Sequence, residues 1–125
     1  MKFREYTTTS GKLVLAGKSA ENNEELIKQI EPNEIVFHTA KPGSPFVNIK
    51  SNRTNKQDRF EASVFCAVKS QDWRDNKSNV EVHEFTGKDI YKRKLMKTGT
   101  FGVKKFKKIT IKKQDILNFI KLTKN

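Results

Sequence analysis

The chain has 125 residues, 34% of them hydrophobic and 32% charged, with a formal net charge of +12 and one cysteine. That length fits a single domain with a modest core, and a lone cysteine excludes an internal disulfide, which suits a reducing compartment such as the cytoplasm. No apolar run approaches a membrane span, and the opening Met1-Lys2-Phe3-Arg4-Glu5 leads into polar residues without a signal-peptide core.

Residues 2–8 and 12–16 read as two short strands joined near Ser10-Gly11, an opening β-hairpin. Ser19 is a helix N-cap, with Glu21, Glu24 and Glu25 suited to a helix N-terminus and Leu26, Ile27 and Ile30 on the apolar side. Pro32-Asn33 helps stop that helix. Strands follow over residues 34–39 and 46–50, joined by the turn Lys41-Pro42-Gly43-Ser44-Pro45, and residues 51–55 form a polar loop. The longest helix is predicted over about residues 56–70, with Phe60, Val64, Ala67 and Val68 at helical spacing on one face. Residues 71–79 read as a polar connector holding the only tryptophan, Trp73. Val80, Val82 and Glu84 alternate with His83 and Phe85, which predicts a strand over residues 80–85. Residues 89–95 are expected as a helical turn, Phe101-Gly102-Val103 and residues 108–112 as a hairpin across a basic connection, and residues 114–122 as a short amphipathic helix. The expected class is α+β: a single compact domain with a mixed or largely antiparallel sheet packed by two or three helices.

Charge is concentrated on one stretch. Residues 86–113 hold eleven Lys and Arg residues against one acid, Asp89, whereas residues 1–62 carry ten basic and eight acidic residues. Apolar residues such as Ile90, Tyr91, Phe101, Val103, Phe106 and Ile109 interrupt the basic stretch, as a disordered tail would not allow. This describes a folded basic face that attracts a polyanion, with nucleic acid as its partner. Lysine outnumbers arginine ten to one there. That balance favours phosphate contact over bidentate base reading. Surface lysines also aid solubility, but solubility alone does not require such a one-sided segment.

Other candidate sites are weighed against plainer readings. Gly17-Lys18-Ser19 has the end of a phosphate-binding P-loop, but the pattern needs glycine where Lys12 stands, so a strand end and helix cap is the better reading. His38 and His83 lack metal-ligand spacing, and each falls in a predicted strand as a structural histidine. Cys66 sits among Phe65 and Ala67 as a buried, inert thiol. The turn carrying Lys41, Gly43 and Ser44 is either a Pro-bounded connection or a contact for a phosphate or 2′-hydroxyl. Trp73-Arg74 either stacks on an unpaired base or packs over the long helix, and packing is favoured. No catalytic constellation, metal site or cofactor motif stands out.

The order of these residues resembles the NFACT-R domain, the RNA-binding module of NFACT proteins in ribosome-associated quality control. Gly17, Lys18, Asn23, Glu24 and Leu26 match a pattern close to G-[KR]-N-x-x-x-N-[DE]-x-L, with Ser19 in place of the usual asparagine. Phe37, His38, Gly43 and Ser44 match the next strand and loop, where Pro45-Phe46 replaces His-Val. The stretch from Glu61-Ala62 to Ser70 resembles the family's alanine-rich helix. Val80, Val82, Phe85 and Thr86 match its V-x-V-x-[YF]-T strand, and Gly99 stands as the glycine before the final strand pair. The resemblance implies a stand-alone, non-catalytic RNA-binding domain without cofactor. Its ligand is expected to be structured RNA, tRNA or rRNA, including the large ribosomal subunit.

Lys88, Lys92, Arg93, Lys94, Lys97, Lys104, Lys105, Lys107 and Lys108 are expected to contact phosphates. Lys18, His38, Lys41, Gly43 and Ser44 form a second patch if the family motifs meet on one face. Three alternatives stay open: an adaptor for an acidic protein, a DNA-binding protein, and an RNA-acting enzyme using His38. No membrane or small-molecule substrate is expected.

Overall fold

In a computed structural model describing residues 2–123, the alternating apolar strands pair as an antiparallel sheet. β1 (Arg4–Thr7) and β2 (Leu13–Ala16) form the expected hairpin, and α1 (Ala20–Lys28) follows. Next come β3 (Ile35–Thr39), β4 (Val47–Ile49), α2 (Lys56–Val68), α3 (Gln71–Asn76) and β5 (Val80–Thr86). The chain ends with β6 (Ile90–Tyr91), β7 (Gly102–Val103), β8 (Lys107–Ile111) and α4 (Lys113–Thr123). The main sheet runs β1-β2-β4-β3-β5-β8 with every neighbouring pair antiparallel, and β6-β7 form a separate ribbon. The architecture is α+β, as the sequence predicts.

The two-residue period of the strands sends side chains to opposite faces. On one face Val14, Phe37, Val47, Ile49, Val82 and Ile111 pack with residues of α2, with Trp73 of α3 and with Ile116 of α4. On the other, Leu15, Val36, Phe46 and Phe85 meet Leu26 of α1, together with Phe101 and Val103. The sheet is therefore the middle of three layers. Full burial of Phe37, Leu26 or Ile49 contributes about 1.5–3 kcal/mol each.

Polar caps lock the layers together. Ser19 accepts from the Asn22 N–H to start α1, and Asn55 and Asp58 close a capping box on α2. Asp58 is fully buried and also accepts from Thr8 Oγ1 at 2.8 Å and Ser10 Oγ at 2.6 Å, clamping the β1–β2 hairpin to α2. Burial alone would raise its pKa, but hydrogen bonds from Ser10, Asn55 and Thr8 hold the carboxyl below its ordinary value.

Several sequence expectations are corrected. Residues 71–79 are not a bare connector: Ser70 accepts from the Trp73 N–H, and α3 buries Trp73 to 4% exposure. Residues 89–95 do not make a helical turn. Asp89 accepts from the Thr86 N–H and hydroxyl, closing a 3-10 turn over Gly87–Asp89, and Ile90-Tyr91 then pair with Gly102-Val103. The expected final hairpin is absent among the described residues, because β7 joins β6 whereas β8 joins the main sheet with Val80 opposite Ile111. Phe60 lies 45% exposed rather than within the core face of α2.

Candidate nucleic-acid interface

The start of α1, the β3–β4 turn, the α2–α3 junction and residues 98–101 enclose a cleft of about 450 Å³. Its lining includes Arg4, Lys18, Lys69 and Arg74 and no aspartate or glutamate. Its walls depend on close backbone approach. A Cβ on Gly17 would overlap the Asn23 amide, whose Oδ1 accepts from the Phe46 N–H at 3.3 Å. The Gly17 carbonyl accepts from Arg4 Nη1 at 2.7 Å, so a potential phosphate ligand is also anchored to the wall. Gly43, with φ +88°, shapes the opposite turn, and its carbonyl accepts from the Gln71 N–H at 3.2 Å.

The remaining wall is fastened by Glu24. Its Oε2 accepts from Lys92 Nζ at 2.7 Å and from the Gly99 N–H at 2.6 Å. The Lys92 bond, and with it the Gly99 bond, outweighs burial and holds the Glu24 carboxyl below its ordinary value. Lys92 Nζ also donates to the carbonyls of Lys97 and Thr100 and lies 4.5 Å from the Phe101 ring centre. Its ammonium is thus occupied within the protein instead of standing free for a phosphate. The family-pattern residues Gly17, Asn23 and Glu24 accordingly build this cleft, while Leu26 anchors α1 to the sheet.

His38 borders the cleft with its ring stacked on Phe46 at 4.2 Å between centres. Burial pushes its pKa down to about 4 despite opposing backbone hydrogen bonds at Thr39 and Ser44. At neutral pH it therefore presents an uncharged aromatic ring. Ser44 shares a hydrogen bond with Thr39 Oγ1, which donates to the Lys41 carbonyl at 2.8 Å.

The structure gathers Lys18, His38, Gly43 and Ser44 around this cleft. Lys41 is not in its lining; its ammonium lies 3.5 Å from Asp72. Lys88, Arg93, Lys94 and Lys97 are exposed outside the lining, and Arg93 lies over the Tyr91 ring at 5.1 Å. Lys104, Lys105, Lys107 and Lys108 are exposed where the chain leaves β7 and runs along the sheet edge as β8. Their strand period separates them: Lys107 faces Glu84 across the ladder, whereas Lys108 faces His83. His83 in turn faces His38, so His38, His83 and Lys108 form one row across three strands on the same sheet face.

Sequence reasoning did not find Arg4 or Lys69 and weighed Arg74 only beside Trp73. These residues come from separate elements whose local charge is balanced, so no one-dimensional signal marks their convergence. Cys66 is fully buried, and burial pushes its thiol pKa far up, as expected of an inert core cysteine. No helix among the described residues is long and apolar enough to cross a membrane.

Residues 2–105 match the family described as the NFACT protein RNA binding domain. The chain belongs to this family. It is 36% identical over 76 residues to the archaeal Rqc2 homolog aRqcH of Methanocaldococcus jannaschii, a match covering 58% of this chain and 11% of that protein. Its fold is similar to the C-terminal part of the fibronectin/fibrinogen-binding protein from Streptococcus suis, with a TM-score of 0.81 and 21% identity. That superposition covers 94% of this chain and 49% of the streptococcal chain. This NFACT RNA-binding domain thus spans about a tenth of the archaeal relative and about half of the solved structure. Phe106, β8 and α4 lie beyond the family-matched residues.

Proposed function

We propose that this domain binds structured RNA, a tRNA or an rRNA, through phosphate contacts and without catalysis. The observation that carries this reading is the cleft lined by four basic residues and no acid. The row His38–His83–Lys108 links that cleft's sheet face to the basic β8 edge. A phosphodiester backbone entering the cleft would meet Lys18, Lys69 and Arg74, with the Gly43-Ser44 turn at its border. Lys88, Arg93, Lys94, Lys97, Lys104, Lys105, Lys107 and Lys108 would extend the phosphate contacts, with Lys41 beside the turn and Lys92 holding the loop. His38 supplies an uncharged ring surface, and its depressed pKa argues against a role as proton carrier near neutral pH. The similarity to the archaeal Rqc2 homolog supports a setting in ribosome-associated quality control, in the cytoplasm.

Titrating a tRNA at several salt concentrations tests the reading. With about six phosphates neutralised, affinity should fall with a log-log slope of about −4 to −5. Joint replacement of Lys104, Lys105, Lys107 and Lys108 by Glu should abolish binding while the melting transition persists. A flat salt response in the wild type would overturn the phosphate mechanism, and full affinity in the fourfold variant would exclude this edge. Affinity purification with and without RNase distinguishes a direct acidic protein partner, whose capture would survive the nuclease.

A further inference from the structure

Phe106 is 44% exposed, although its ring favours burial. It stacks nearly flat on the His83 imidazole, with ring centres 3.9 Å apart and planes 15° apart. His83 is held in place: its Nε2 lies 2.7 Å from Oε2 of Glu81, its neighbour on the same strand face, and its backbone sits between β3 and β8. One face of the phenyl ring is therefore covered by a fixed support, leaving the outer face to solvent. α4 does not cover it, since Ile116, Phe119 and Ile120 pack on the opposite sheet layer. Lys104, Lys105, Lys107 and Lys108 flank the ring in sequence and are all exposed. Among the described residues no carboxylate forms an ion pair with these four lysines.

An exposed aromatic face within a lysine-rich segment, with Lys108 opposite the supporting His83, suits an unpaired nucleotide. The base stacks on the ring, and its neighbouring phosphates meet the cations. Bases within an A-form duplex are stacked on each other and cannot cover an outside ring in this way. We infer that Phe106, backed by His83, is a stacking platform for one unpaired RNA base, with the flanking lysines holding the adjoining phosphates. This rests on the RNA-binding reading and deepens it: the RNA must present a loop, bulge or free end at the β8 edge.

The test compares a short single-stranded RNA carrying a fluorescent adenine analogue with a blunt RNA duplex of equal phosphate number. Wild-type protein should bind the single strand more tightly and quench the analogue. Phe106→Ala should lose about tenfold or more of the single-strand affinity, with the quench, while duplex affinity stays unchanged. Phe106→Trp should retain both single-strand signals. If the alanine variant fails to fold, Phe106→Leu carries the same test, because it keeps apolar bulk without an aromatic face. Equal single-strand affinity and quenching in wild type and a folded non-aromatic variant would overturn the platform while leaving RNA binding intact. Failure of the wild type to bind either RNA would overturn both.

Discussion

Replacing Glu24 by Ala separates the geometry of the cleft from its charge. The substitution removes two hydrogen bonds, from Lys92 Nζ at 2.7 Å and from the Gly99 N–H at 2.6 Å, and makes the protein one unit more positive. A hydrogen bond to a charged group contributes about 1.5–3 kcal/mol. The Glu24 and Lys92 side chains are 25% and 35% exposed, so water recovers part of this, leaving about 2 kcal/mol in all. For a domain of this size, that corresponds to a loss of about 5–10 °C in Tm if the loop melts with the rest. The Gly99 amide should lose hydrogen-exchange protection. Charge alone would make RNA bind more tightly after loss of an acid. Loss of the wall formed by Thr98 to Phe101 should instead weaken binding several-fold. Tighter RNA binding with unchanged Gly99 protection would refute the idea that Glu24 orders the site. Because the folded carboxyl has a depressed pKa, its stabilisation is present above the ordinary value of 4.5 and lost as pH falls through the lower folded value.

Other perturbations probe the same construction. His38 has a folded pKa of about 4 against an ordinary 6.5, so its contribution is complete above 6.5 and declines as pH falls toward 4, by up to ~3 kcal/mol. His38→Phe should flatten that part of the stability–pH curve, as followed by chemical denaturation. Gly99→Ala should destabilise the loop by about 1–3 kcal/mol, because φ is +81° and the new Cβ would lie 2.7 Å from Ala20 Cα. Thermal melts with Gly99→Ala and Gly99→Ser measure this cost. Asp58→Ala leaves the buried Thr8 hydroxyl and the exposed Ser10 hydroxyl without their shared acceptor and should cost about 2–4 kcal/mol, read as a lower denaturation midpoint.

Local patterns made much of the molecule legible from sequence. The apolar run Ile35-Val36-Phe37 identified β3, alternation identified β5, Ser19 marked the entry to α1, and the helical spacing of Val64 and Ala67 identified α2. The basic stretch also indicated nucleic acid, and the family-pattern residues indicated RNA. These signals arise from side-chain period and backbone sterics within short segments. Chain-distant choices were different. Gly102-Val103 could pair with β6 or β8, and only the packing of Phe101 and Val103 with α1 on one sheet face, set against Ile111 on the other, distinguishes the layers. Lys92 resembles its exposed neighbours in sequence, yet Glu24 at a separation of 68 residues occupies its ammonium. Arg4, Lys18, Lys69 and Arg74 likewise share a cleft only after folding. Composition and periodicity determined the repertoire of strands, helices and charge, whereas tertiary packing decided which cations line the cleft and which are tied within the protein, because partner choice depends on contacts between segments far apart along the chain.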